Sequence, residues 1–178
     1  MECDVQLNEG FRFATPSDLE KILFFIRELS EYEGMLDQVV ATEELLREWL
    51  FDRRVAHVIF ATEGDREVGF ALFFFNFSTF LGRGGIYLED LFVLPERRGR
   101  GFGKGLFVQL AKIAKRLGCG RLEWCCLDWN EPSIRFYLSL GAKPMEDWTT
   151  YRLSGMELDE LAARAERSPH VKGTGMMA

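Results

Sequence analysis

The sequence predicts an α/β domain organised around a mixed sheet. Three observations carry this. The C-terminal half reads strand, glycine-rich loop, helix, strand, helix, an order that places helices against a sheet. Before it, two strand-like runs at 55 to 62 and 68 to 78 flank the turn "EGDR", the pattern of neighbouring strands. The 178 residues are enough for one domain with a substantial core and too few to expect two. That domain is expected over residues 1 to 167, with 168 to 178 as a loose tail.

The elements follow in order. "FRFAT" opens as a strand. "TPSD" then starts a helix, with Thr15 as N-cap, Pro16 in the first turn and Asp18 reaching back. Leu19, Ile22, Ile26 and Leu29 share one face of it, and Gly34 follows its end. Thr42, Glu43 and Glu44 open a second helix through Leu45, Trp49 and Leu50. After the two strands around "EGDR", the run "IYLEDLFV" is a further strand. A helix from about Gly103 to Leu117 turns Leu106, Leu110, Ile113 and Leu117 inward, and Gly118 closes it. "RLEWCCLD" is the next strand. "NEPSIRFYLSLG" is a short helix with an Asn cap, an early Pro and a closing Gly141. "YRLSG" is expected as a last strand, and "MELDELAARAER" as a terminal helix.

Composition excludes several classes. The net charge of −6 makes the surface a poor counterpart for nucleic acid. The acidic balance would suit a cationic substrate. The four cysteines form no CxxC, and His57 and His170 lie far apart, so no metal is expected. Reduced thiols point to the cytoplasm. The N-terminus carries no basic-then-apolar signal. The apolar run "VGFALFFFNFSTFLG" is short for a membrane span and is interrupted by Asn76 and Ser78, so no membrane is expected. It reads as a long Phe-rich strand, for a core or a dimer surface.

The segment "RRGRGFGKGL" points to an anion. Its glycines leave the backbone bare, and its cations make it positive. A phosphate loop of the type GxxxxGK[ST] fails twice, because Gly105 follows Lys104 and Arg98 stands where a glycine is needed. A dinucleotide fingerprint GxGxxG fails at Lys104 in one frame and at Leu106 in the other. What remains is Arg98-x-x-Gly101-x-Gly103 between a strand and a helix. This resembles the pyrophosphate loop of the GNAT acyl-CoA acetyltransferases. In such a loop successive N–H groups meet two phosphates at a helix N-terminus.

"IYLEDLFV" is apolar apart from Glu89 and Asp90, and strand alternation predicts one acid on each face. A buried carboxylate is costly unless paired or hydrogen-bonded. One acid is therefore read as structural, at a bulge, and one as chemical. "YLEDLFV", "RGRGFGKG", "WNEPSIRFY" and "RELSEYE" resemble the spermidine/spermine (diamine) N-acetyltransferase branch of that family, from about Phe11 to Leu153.

The resemblance implies the GNAT fold: a central mixed, mostly antiparallel twisted sheet, splayed at the acyl-CoA site and flanked by helices. It implies acetyl transfer from acetyl-CoA to a primary amine by direct attack in a ternary complex. It assigns Leu91, Phe92 and Val93 to the pantetheine arm. Arg98, Gly99, Arg100, Gly101, Phe102, Gly103 and Lys104 would take the pyrophosphate, and Asn130 and Ser133 would add cofactor contacts. Glu89 would be the water-mediated base and Tyr137 the acid beside the CoA sulfur. Tyr32, Glu33, Glu89 and Trp124 would line the amine site. A homodimer is also implied. Taken alone, Tyr137 reads as an amphipathic helix residue and Asn130 as a cap.

The chemistry asks for such groups. An alkyl ammonium has a pKa near 10.4, so deprotonating it at neutral pH costs about 4 to 5 kcal/mol. A carboxylate with the ordinary pKa of about 4.3 is too weak a base alone, so a raised pKa or a water relay is expected. A backbone N–H near Phe92 or Val93 could hold the oxyanion. A small polyamine or diamine is the expected acceptor. Thialysine, a lysine-like amino acid or a protein amine is an alternative, and a non-catalytic CoA-binding regulatory module is an alternative of another class.

Overall fold

The computed structural model describes residues 5 to 166. By their contacts these fall into two compact units, divided in the chain between Leu127 and Asp128. The proposed tail at 168 to 178 lies outside the described residues, as does Cys3.

The first unit is a five-stranded sheet in the order β1-β2-β3-β4-β5. Its strands are β1 (Phe11–Phe13), β2 (His57–Glu63), β3 (Arg66–Ser78), β4 (Arg83–Val93) and β5 (Leu122–Trp124). β1 to β4 pair antiparallel in sequence, and β5 joins β4 in parallel. The sheet is therefore mixed and mostly antiparallel. β2 and β3 meet at the two-residue turn Gly64-Asp65, and Gly64 takes a positive φ of 61°.

Helix α1 (Leu19–Glu33) begins as predicted. Asp18 accepts from the Thr15 backbone N–H at 2.8 Å and from the Thr15 hydroxyl at 2.8 Å. Its sequence buries Leu19, Ile22 and Phe25. Ile22 and Phe25 meet Val58, Phe60, Phe70, Phe92 and Leu94 on one face of the sheet, with Phe25 stacked on Phe70 at 5.3 Å. Helix α2 (Glu43–Leu46), capped by Thr42, widens into a π-helical stretch at Arg47–Asp52. Leu50 of that stretch reaches the same core.

Helix α3 (Phe102–Arg116) buries Leu106, Leu110 and Ile113 as its periodicity requires. It lies on the opposite face, because Gly105 packs directly against Phe11, whose partner Ala61 belongs to that face. A side chain at 105 would collide with the Phe11 ring.

The second unit contains helices α4 (Glu131–Ser139) and α5 (Gly155–Glu166). Asn130 caps α4 by accepting from the Ser133 N–H at 3.3 Å. The expected strand "YRLSG" is not formed. Residues 151 to 154 are irregular and exposed, and Gly155 enters α5 instead. "RLEWCCLD" is likewise a strand only over its second to fourth residues. Among the described residues no helix is long and apolar enough to cross a membrane.

Candidate active site

The site is set by an irregularity in β4. Leu72 pairs with Asp90, but the next residue, Phe73, pairs with Leu88. Glu89 is thus an extra residue, a β-bulge. Directly paired residues share a face. Leu88 therefore shares the Phe73 face, towards α3, while Asp90 joins Leu72, Phe70 and Phe92 on the α1 face. Simple alternation across "LED" fails at this point. The bulge re-phases the strand so that Asp90 enters the apolar α1 side and Glu89 is left exposed.

The two acids consequently differ. Burial pushes the Asp90 carboxyl up to about 7, helped by the charges of Glu89 and Glu33. Burial also raises Glu33, the last residue of α1. None of Glu33, Glu89 and Asp90 forms an ion pair among the described residues. Glu33 and Glu89 thus act on Asp90 by charge, with no cation paired to any of the three acids among the described residues. A bound ammonium group would offset those charges.

Beside the acids, the sheet opens. β5 pairs with β4 only at Ile86, Tyr87 and Leu88. Beyond them no strand covers the outer edge of residues 89 to 93 among the described residues. Leu91, Phe92 and Val93 therefore line an edge that no strand covers among the described residues, with the Leu91 backbone groups and the Val93 N–H turned away from β3 towards any extended partner.

The chain then enters the glycine loop through the turn Pro95–Arg97. Gly99 and Gly101 hold φ of 73° and 90°, which L side chains avoid. The N–H groups of 99 to 104 donate to no backbone carbonyl among the described residues, and the next donor, Gly105, bonds Gly101 at 2.8 Å. They form the open N-terminus of α3, with no acidic residue in its first turn. Lys104 stands there without an ion pair, a cation at the positive end of a helix dipole. Bare amides together with cations of unfavourable placement are the features an anion would satisfy. The loop and the open edge thus suit a long ligand with a phosphate-bearing end and an extended amide arm.

The arginines of the loop are already engaged. Arg98 Nε donates to the Val93 carbonyl at 3.0 Å, and its guanidinium lies over Tyr32 at 4.7 Å and Phe92 at 5.2 Å. It ties the end of α1 to the end of β4. Arg100 pairs with Glu63 at 2.5 Å.

The structure brings Tyr32, Glu33, Glu89, Leu91, Phe92, Val93 and the loop 98 to 104 to one end of the first unit. Trp124 lies on β5, opposite the residue that precedes Glu89. Trp124 pairs with Leu88, on the α3 face, and meets Phe107 edge-on at 4.9 Å. Asn130, Ser133 and Tyr137 lie on α4 of the second unit, where Asn130 and Ser133 form the cap. Sequence reasoning gave the chemical role to Glu89 and so left the structural one to Asp90, whereas the bulge falls at Glu89 and Asp90 is the acid on the apolar side. The signal was the adjacent acid pair in mid-strand, but only the bulge shows which acid is desolvated. No cluster of three or more potential metal ligands occurs among the described residues.

Residues 23–142 match the model of the acetyltransferase (GNAT) family. The chain is 39% identical to a thialysine N-epsilon-acetyltransferase of Bos taurus, over 86% of this chain and 96% of that protein. It is 32% identical to an L-ornithine N5-acetyltransferase of Arabidopsis thaliana, over 84% and 86% of the two chains. It is 32% identical to the human spermidine/spermine N(1)-acetyltransferase-like protein 1, over 85% of this chain and 23% of that protein. Among solved structures, an integron cassette protein from the mobile metagenome of V. cholerae superposes with a TM-score of 0.72 at 31% identity, covering 85% of this chain and 96% of that one. The mostly antiparallel sheet left open beside a glycine-turned helix start is thus the frame of a known catalyst class, and the chain belongs to the GNAT family of acetyltransferases, as an N-acetyltransferase.

Proposed function

We propose that the chain transfers an acetyl group from acetyl-CoA to the terminal primary amine of a small cationic acceptor. The observation that carries this reading is the β4 bulge. It sets a desolvated carboxylate, Asp90, beside the uncovered edge of the same strand.

Acetyl-CoA, when bound, supplies an activated thioester. The amides of 99 to 104, with Arg98, Arg100 and Lys104, would hold its diphosphate. The edge at Leu91 to Val93 would hold its amide arm. Glu33, Glu89 and Asp90 would attract the acceptor's ammonium group by charge. A carboxyl with a pKa of about 7 accepts and returns a proton near neutrality far more readily than an ordinary one. Asp90 would therefore take the amine proton, either directly or through a water held by Glu89. A backbone N–H at Phe92 or Val93 would donate to the developing oxyanion. Tyr137 would donate a proton to the leaving sulfur, with Asn130 and Ser133 as further cofactor contacts. These three roles rest on the family resemblance. The family model runs through both compact units, which supports reading them as one acyltransferase domain.

A diamine or polyamine, which carries more than one ammonium group, would match the charges of Glu33, Glu89 and Asp90. A lysine-like amino acid is favoured by a specific observation, the 39% identity to a thialysine enzyme across 96% of its length. Acetyl-CoA-dependent thiol release with spermidine, putrescine, thialysine, ornithine and a lysine peptide separates the readings. Turnover of the small amines well above the peptide is the expected result. Binding of acetyl-CoA without turnover of any acceptor would contradict it and favour a regulatory module.

The homodimer belongs to the same proposal. Phe77, Phe80 and Leu81, exposed around the turn between β3 and β4, form an apolar surface that supports it, and sedimentation equilibrium reads it directly. The free thiols of Cys119 and Cys125 fit a cytoplasmic setting.

A further inference from the structure

Glu63 ends β2 at the β2–β3 turn, more than thirty positions from the glycine loop in sequence. Its two carboxylate oxygens nonetheless meet two arginines of that loop. Oε2 lies 2.8 Å from Arg97 Nε, and Oε1 lies 2.5 Å from Arg100 Nη2. Between those arginines sit Arg98 and Gly99. The same turn makes a second tie, from Arg66 Nη2 to Glu96 Oε1 at 3.5 Å. One carboxylate therefore spans the first half of the loop from outside.

We propose that Glu63 is a positioning residue for the diphosphate loop. It holds Arg97 and Arg100 together, so that the amides of 99 to 104 stay ordered before the ligand arrives. This rests on the acetyl-CoA reading given above. The physical case is entropic. Glycines lose the most backbone freedom on ordering, and Gly99 and Gly101 both sit in conformations that few other residues adopt. A loop that orders only on binding subtracts that cost from affinity. Either ion pair alone would contribute little, since the Arg100 side chain is 51% exposed. Their joint attachment to one carboxylate makes them a brace.

The sign of the effect is diagnostic. Glu63 is an anion close to a proposed anion site. Long-range electrostatics alone says that its removal should tighten binding. The brace says the opposite. One carboxylate against two guanidinium groups still leaves net positive charge for the diphosphate.

The test is Glu63→Gln in the full chain, with titration calorimetry and steady-state kinetics. The dissociation constant and KM for acetyl-CoA should rise by about three- to tenfold, equivalent to about 0.7 to 1.4 kcal/mol. kcat should stay within about twofold. S-acetylpantetheine, which lacks the diphosphate, should show the same KM in the variant and the unaltered protein. Glu63→Asp should recover part of the loss. Unchanged or tighter acetyl-CoA binding would overturn the proposal, as would an equal loss with S-acetylpantetheine. Failure of the unaltered protein to bind acetyl-CoA would overturn the reading of the loop, and this inference with it.

Discussion

The two ends of helix α1 treat carboxylates in opposite ways. At its start, Asp18 and Glu67 are surrounded by cations. Arg12 Nη2 lies 2.7 Å from Asp18 Oδ1 and also contacts Glu67, and Lys21 Nζ lies 2.7 Å from Glu67 Oε1. Arg12 hydrogen bonds hold the Asp18 carboxyl well below the usual range, against burial and with help from Thr15. Burial acts to raise Glu67, but the hydrogen bonds from Lys21 and Arg12 outweigh it and lower the group. At the other end, the charges of Glu33 and Glu89 act on Asp90, no cation is paired to any of the three among the described residues, and burial takes Asp90 up to about 7. Each end places acids against the same apolar face. The first is satisfied within the chain and is structural. The second lacks such cations among the described residues, which supports the proposal that a cationic acceptor binds there.

The sharpest way to break this contrast is to remove one acid from each end. Asp90→Asn should lower kcat by roughly 10²- to 10³-fold, the usual range for a general base, and should abolish an acidic limb near pH 7 in kcat/KM. Asp18→Asn should leave kcat within about twofold. It should instead cost about 2 to 4 kcal/mol of stability in denaturant unfolding, because it leaves Arg12 poorly paired. A stability loss for the first and a rate loss for the second would erase the distinction.

The pH dependence of stability sharpens it further. Asp18 and Glu67 titrate lower in the folded state, so their contribution is present at neutral pH and fades as the pH drops below about 4. Asp90 titrates higher when folded. Its folded form holds the proton between its unfolded value, near 3.8, and about 7. Stability from this group therefore falls as pH rises through that window, and the penalty is complete above it. Asp90→Asn should consequently unfold at higher temperature than the unaltered protein at pH 8, by a few degrees, with a smaller difference at pH 5. The smallest effect belongs to Glu33→Gln. Removing one neighbouring charge should move the acidic limb of kcat/KM down by less than about one pH unit.

Much of this architecture was legible because local chemistry dictates it. "TPSD" specifies the start of α1 through Thr15 and Asp18, and the spacing of Leu106, Leu110 and Ile113 specifies the buried face of α3. Gly99 and Gly101 announce a loop that needs positive φ. Long-range pairing was not legible. Alternation put Glu89 and Asp90 on opposite faces, but the register against β3 inserts Glu89 as a bulge and decides which acid is desolvated. Trp124 carries no local sign that Phe107 covers it, and Glu63 carries none that it meets Arg97 and Arg100. "YRLSG" has strand-like residues, but no neighbouring strand pairs with it among the described residues.

Asp90 is the carboxyl whose burial beside the β4 bulge raises it towards neutrality. Carbon-detected NMR titration of the side-chain carboxyls, with the Asp90 signal assigned by its loss in Asp90→Asn, measures this directly. A midpoint near 7 in the unaltered protein is the predicted result. A midpoint near 4 would show an ordinary solvated carboxylate and would contradict the account.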